Sequence, residues 1–457
     1  MDEDQLNEKN IDNDHLSIID EKPELTTFIA ASNNEDEDNQ SLLSQKIKLT
    51  ISKGYTLCTV MEVISYSINE TSFILPYCLR KLGIIPFIIF LIILPLSSVY
   101  FFYLILDIVI KHNLYDNYHI IIQEKTNRHF NLLYFLLNII YNVLIITFEN
   151  YIFLSICMRI LSFFDFNTKN IFYEKLIILS LSMIVIELPF SFINQFRKPD
   201  SFYIIITLFI IILNAISLFF LLINKSLNFV NIIKVNTFES FSKEYFTSIS
   251  IIMTVIGWQN QMSTQIINFK IKTQKRIFKV IYLYFIIELI LIVFICFIST
   301  PLISDKGELI LFLLDYKNIN VKTTLIILIM SIIFCILIHI IIGHHMQLIK
   351  GNLILFIKLC MHKKAQDDFE LNKILSVCFN FFILFLSNTI CLFNEDISLI
   401  IIIYGGILTP ILNYLFSTCL YCQMVSYNSI VVYFAWLFTF INMSMGLVGF
   451  FIKIIFR

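Results

Sequence analysis

The chain lacks the motifs that announce chemistry. There is no glycine-rich nucleotide fingerprint, no phosphate-binding P-loop and no Gly-x-Ser-x-Gly elbow, so nothing points to nucleotide-driven work or to a nucleophilic hydrolase, and the chain is expected not to be an enzyme. It has no basic stretch interleaved with aromatics, which removes nucleic acid from the expected partners. Its ten cysteines are scattered, mostly inside apolar segments, as packing side chains are. Cys419 and Cys422 have half-site spacing but no second half nearby. No metal or redox site is therefore read, and no cofactor is expected.

Charge is scarce as well. Charged residues make up 15% of the chain and hydrophobic ones 58%, beyond the range of about 45–50% apolar for soluble domains. The apolar residues, mainly Ile, Leu and Phe, come in blocks of about 20, the length that crosses about 30 Å of hydrocarbon. This excludes a soluble core and implies a polytopic membrane protein.

The first 45 residues are the exception. They hold thirteen acidic residues between Asp2 and Asp38, against Lys9 and Lys22 alone. Too few apolar side chains are present to offset ordering entropy, so 1–45 reads as a disordered acidic cytoplasmic tail. It has neither the basic start nor the apolar core of a signal peptide. The remainder, 46–457, carries 31 Lys and Arg against 21 Asp and Glu and reads as one polytopic transmembrane domain.

Hydropathy divides that domain into eleven expected helices: 54–80, 83–110, 132–160, 175–193, 202–224, 246–269, 279–300, 323–346, 372–393, 397–418 and 430–454. Alternating the connecting loops puts eighteen Lys and Arg on the side of the N-terminus and twelve on the other. The positive-inside rule then places the N-terminus in the cytoplasm.

Two of these segments are unusually polar. The first is interrupted by Ser67, Ile68, Asn69, Glu70, Thr71 and Ser72. The sixth carries Thr247, Ser248, Ser250 and Thr254, then Gly257, Trp258, Gln259 and Asn260. Irregular backbone is tolerated at membrane depth only inside protein or against a water-filled cavity. Two discontinuous helices five segments apart match an inverted repeat, in which helices 1–5 and 6–10 are related by a pseudo-two-fold axis and unwound breaks hold a ligand at mid-membrane. The fold class expected is an all-α integral membrane protein with a 5+5 inverted repeat of the LeuT-like type plus one extra helix.

"ILPYCLRKLGIIPFIIFLIILPLSSVYFFYLIL", Ile74 to Leu106, and "GGILTPILNYLF", Gly405 to Phe416, resemble the first two and the tenth spans of the amino acid/auxin permease family. Eleven spans, a cytoplasmic N-terminus and a polar N-terminal tail are usual there. Where that family places glycines before Leu-x-x-Pro-Tyr, this chain has Asn69 and Thr71 with Glu70 between them. The resemblance implies secondary-active symport of amino acids or related small amines with a proton or, alternatively, sodium. The membrane implied is the plasma membrane or an acidic vacuole- or lysosome-like one. A nutrient sensor with the same fold and a channel are the other readings.

The expected substrate-binding residues are Ser67, Ile68, Asn69, Thr71 and Ser72 at the first break, Gly257, Trp258, Gln259 and Asn260 at the second, and Tyr151 in the third span. The expected coupling carboxylates are Glu70, Glu149 and Glu288, because an ionisable side chain at mid-membrane is a functional candidate by default. Three of them have a plainer alternative. Glu70 has Arg80 or Lys81 as a vestibule partner, Glu149 has Arg159, and Tyr151 has ordinary packing. His339 is a further intramembrane polar group. Glu187, just before Pro189, reads as lying at a solvated span end, and His344 and His345 read as solvated at a cytoplasmic end.

Overall fold

The computed structural model describes residues 74–111, 118–164, 170–192, 236–237, 239, 243–256, 274–299, 321–361, 373–393, 397–425 and 430–455. The acidic tail and both expected breaks, Ser67–Ser72 and Gly257–Asn260, lie outside them. Among the described residues every regular element is helical.

Helix α1 is Leu75–Leu82 and opens with Pro76, whose fixed φ suits a first turn where its missing N–H is not needed. It stops at Gly83, whose φ of 84° is open to glycine at little cost. The chain then enters α2, Ile84–Lys111, at once. The first N–H groups of α2 have no partner within the helix. They are met from a distant segment: Ile84 N donates to the Asn236 carbonyl at 3.0 Å and Ile85 N to the Thr237 carbonyl at 3.1 Å.

The remaining helices follow in order: α3, Tyr118–Lys125; α4, Arg128–Phe163; and α5, Ile171–Ser182, which continues through a π-helical turn, Met183–Glu187, into Leu188–Phe190. Next come α6, Lys243–Ile256; α7, Gln274–Ser299; α8, Val321–Cys360; and α9, Lys373–Phe393. The segment α10, Ile397–Ile401, widens into π-helical stretches at Ile402–Leu408 and Ile411–Leu415, around Gly405, Gly406 and Pro410, and leads into α11, Phe416–Met424. The last helix is α12, Ile430–Ile455.

Six helices among the described residues are long and apolar enough to cross a membrane: Ile84–Val109, Arg128–Ser162, Ser331–Cys360, Ile374–Phe393, Ile397–Met424 and Ile430–Ile455. Their outward positions are apolar, for example Ile88, Ile92 and Leu96 on α2 and Tyr433, Leu437 and Phe440 on α12, while amides, hydroxyls, Glu149 and Glu187 are buried inside. Apolar outside and polar inside is the pattern of a membrane protein, since lipid does not penalise exposed isoleucine as water does. α8 corrects one expected boundary. It runs on to Cys360, well past the expected end at 346. Lys350 and Lys358 do not end a helix, and Gly351 is the only residue there with low helix propensity.

α4 and α8 form the most extensive helix pair, and α9 packs on α4 beside them. α6 packs on α1, α10 and α12. The main apolar core joins α1, α2, α4, α6, α7, α8 and α10. A second cluster joins α2, α4, α11 and α12 around the stacked rings of Phe101 and Tyr414, 4.4 Å apart.

Candidate functional site: two polar regions of the bundle

The first region lies between α1 and α6. Lys81 Nζ and Glu244 Oε2 are 2.5 Å apart, and Cys78 lies in hydrogen-bonding range of Ser248. As one position rises from 78 to 81 its partner falls from 248 to 244, so the two helices are antiparallel. The start of α1 and the end of α6 therefore point the same way. Ser67–Ser72 precede α1 in sequence and Gly257–Asn260 follow α6.

Three hydroxyls of α6 give their protons to carbonyls of their own helix. Ser248 donates to the Glu244 carbonyl, Ser250 to that of Phe246 and Thr254 to that of Ser250, each at 2.9 Å. These self-bonded hydroxyls form a surface on which glycines close. A Cβ at Gly405 would sit 2.1 Å from Thr254 Oγ1, and one at Gly446 would sit 1.7 Å from the Gly406 carbonyl oxygen. Here glycine is a packing requirement that lets α6, α10 and α12 approach backbone to backbone.

The second region is where α4, α5, α8 and α9 meet. α4 presents Asn131, Asn138, Asn142 and Glu149, all buried, and their steps of seven, four and seven keep them on one helical face. Asn142 Nδ2 donates to Asn138 Oδ1 at 2.9 Å, and the Asn142 Oδ1 accepts from His345 Nδ1 at 2.7 Å. Further along, Gln347 Nε2 donates to the Ser191 carbonyl at 2.5 Å and Asn380 Nδ2 donates to Ser191 Oγ at 2.9 Å.

Glu187 is the centre of this junction and is fully buried. Ser182 Oγ donates to its Oε1 at 2.7 Å, and the same hydroxyl lies 3.1 Å from His339 Nε2. The side chains of Asn150 and Asn388 lie against the carboxylate. Asn150 Nδ2 donates to Asn388 Oδ1 at 2.7 Å and to Ser387 Oγ at 3.3 Å. The Phe153 ring packs edge-to-face with the imidazole, with centroids 4.6 Å apart.

The π-helical turn makes this arrangement possible. On an α-helix residues five apart point about 140° away from each other. The turn between Met183 and Glu187 is wider, with Leu188 N bonding back to the Met183 carbonyl, and this carries Glu187 round to the face of Ser182. Glu187 is thus not at a solvated span end. The α-helical period and the following proline both misplace it, and only the widened turn puts it inside. His345 likewise is buried rather than solvated, because Asn142, some 200 residues earlier in the chain, supplies its partner.

The other expected residues divide as follows. Ser67, Ile68, Asn69, Glu70, Thr71, Ser72, Gly257, Trp258, Gln259 and Asn260 lie outside the described residues. Glu288 is on α7, with its side chain also outside the description. Glu149 is fully buried on α4, next to Asn150. Tyr151 is half-buried and packs beside Leu154, Leu179 and Cys391, where α4, α5 and α9 meet. Asn150, Ser182, Ser387 and Asn388 were not legible as site residues. Asparagine and serine are common throughout this chain, and nothing local distinguishes these four.

No protein-family model matches the chain, and no curated protein matches it by sequence.

Proposed function

We propose that this protein is a secondary-active transporter of amino acids or related small amines, coupled to protons, that works by alternating access. The observation that supports this most is the antiparallel register of α1 and α6, fixed by Lys81–Glu244 and Cys78–Ser248. The start of α1, which follows one polar sequence in the chain, and the end of α6, which precedes the other, lie at the same end of this helix pair. A helix N-terminus there carries partial positive charge and freed carbonyls the opposite sign, a pairing suited to a zwitterion. On this reading Asn69, Gln259 and Asn260 line the substrate site and the N-terminus is cytoplasmic. The helices described, with the chain's resemblance to the amino acid/auxin permeases, then belong to a 5+5 repeat with α12 as the extra helix.

The test is counterflow. The purified full-length chain is reconstituted in liposomes preloaded with a mixed amino-acid pool, and uptake of labelled amino acids is followed without any ion gradient. At least one label enters faster than in protein-free liposomes. Uptake equal to that of empty liposomes for every label, from protein shown to be folded and inserted, removes the transport reading.

A further inference from the structure

We propose that Glu187, bridged through the Ser182 hydroxyl to His339 and flanked by Asn150 and Asn388, is a buried proton-binding site. It lies apart from the α1/α6 region and is a different residue from the carboxylates named by sequence. As the place where the coupling proton is held, it rests on the transport reading; as a proton site it does not.

The hydrogen-bond inventory carries the inference. Ser182 has one proton and gives it to Glu187 Oε1, so in its contact with Ser182 the His339 Nε2 must be the donor. Neutral His339 then has a bare Nδ1, which faces the Cys335 carbonyl of its own helix and makes no hydrogen bond of good geometry there. Three more atoms around it make no hydrogen bond of good geometry, although both amide side chains lie against the carboxylate: Glu187 Oε2, Asn150 Oδ1 and Asn388 Nδ2. Buried polar atoms without partners are uncommon and costly, and four in one junction call for a cause.

A proton that comes and goes supplies one. Binding forms an O–H bond at Glu187 Oε2, for which the uncommitted Oδ1 of the adjoining Asn150 side chain is the available acceptor. Release leaves a carboxylate that accepts from Asn388 Nδ2. Each amide serves one state, and neither state uses both. A fixed metal ion fits less well, since Asn388 offers its amino group and Ser182 its proton toward the same space.

The charged and titratable groups facing Glu187 are few. α8 contributes His339 and α9 contributes Cys391, which is close enough to feel the carboxylate and also the Lys175 ammonium from α5. From α4 the neighbouring ionisable residue is Glu149, adjacent to Asn150 and itself buried. No Lys or Arg on these helices forms a salt bridge to Glu187 among the described residues, so a proton is the simplest neutraliser of this buried charge.

The experiment has two arms. In the first, infrared difference spectra of the full chain in nanodiscs are recorded across a pH titration. A protonated-carboxyl stretch disappears as pH rises, Glu187→Gln removes it, and His339→Gln, which keeps a donor toward Ser182, shifts its midpoint. A spectrum in which Glu187→Gln removes no pH-dependent carboxyl band overturns the site. So does a midpoint that does not move in His339→Gln. Ser182→Ala is the milder variant if either of these fails to fold, and it must shift the same midpoint. In the second arm, liposomes carrying Glu187→Gln retain counterflow and lose accumulation driven by an acid exterior. Accumulation that survives in Glu187→Gln, with wild-type counterflow intact, rules the site out as the coupler. Absence of counterflow in the wild type, with the infrared band present, rejects transport and leaves the proton site standing.

Discussion

The polar groups of α6 and those of the α4–α5–α8–α9 junction have similar chemistry and opposite uses. On α6 the hydroxyls of Ser248, Ser250 and Thr254 each return their proton to a carbonyl one turn earlier, within the same helix. In the junction the bonds run between helices: Asn150 to Asn388, Ser182 to His339, Gln347 to Ser191 and His345 to Asn142. A self-satisfied hydroxyl costs little to bury and lets helices approach closely. A bond between helices fixes which helix faces which. Polarity in a membrane helix thus has two meanings, close packing in one region and specified pairing in the other.

Four substitutions test that contrast, from the largest expected effect to the smallest. Gly446→Leu attacks the close packing directly. Its Cβ would fall on the Gly406 backbone, which cannot yield as a flexible side chain does. The expected loss is about 3 kcal/mol or more, at the upper end for overpacking. Size-exclusion chromatography should show no monodisperse folded protein.

Asn150→Ala comes next. It strands Asn388 and Ser387 without their donor, at a cost of about 1–3 kcal/mol. Thermal unfolding in detergent reads the cost. A cycle with Asn388→Ala should return a coupling of about 0.5–2 kcal/mol. Strict additivity there would mean that the junction does not act as a unit.

Lys81→Met removes the partner of Glu244 between α1 and α6. The pair is 30% and 41% exposed, so solvent screening limits the effect to about 1 kcal/mol or less, and the difference from wild type should shrink in high salt. Ser250→Ala should change stability least, within about 0.5 kcal/mol, because its hydroxyl bonds only its own helix. A loss from Ser250→Ala as large as that from Asn150→Ala would erase the distinction between the two regions.

The sequence makes the helices legible because apolar runs of about 20 residues have no soluble alternative. α2, α9 and α12 fall close to their expected ranges. Helix ends are less legible, as α8 shows by running through Lys350 and Lys358 to Cys360. A positive charge marks where a chain meets headgroups, whereas a helix stops only where backbone geometry or a cap stops it. The junction is less legible still. Seeing Glu187 inside requires the widened turn before it, and His345 needs Asn142. Both depend on packing between segments distant in the chain, to which a single sequence gives no access. Glu149 is the expected coupling residue that the described structure does bury, beside Asn150, which had no local mark at all.

The backbone bonds from Ile84 and Ile85 to Asn236 and Thr237 set an order of events in synthesis. When α2 leaves the ribosome its first amides have no acceptor in the chain made so far. That acceptor is about 150 residues away, which at about 5–20 residues per second is roughly 8–30 seconds of translation. α4 and α5 are made in that interval, and α8 and α9 come later still. The α1–α2 corner is therefore completed before the proton junction has all four of its helices. A chain stalled between residues 192 and 236 would present an unclosed corner to the membrane's quality-control machinery, whereas one stalled after α6 would present a closed corner and half a junction.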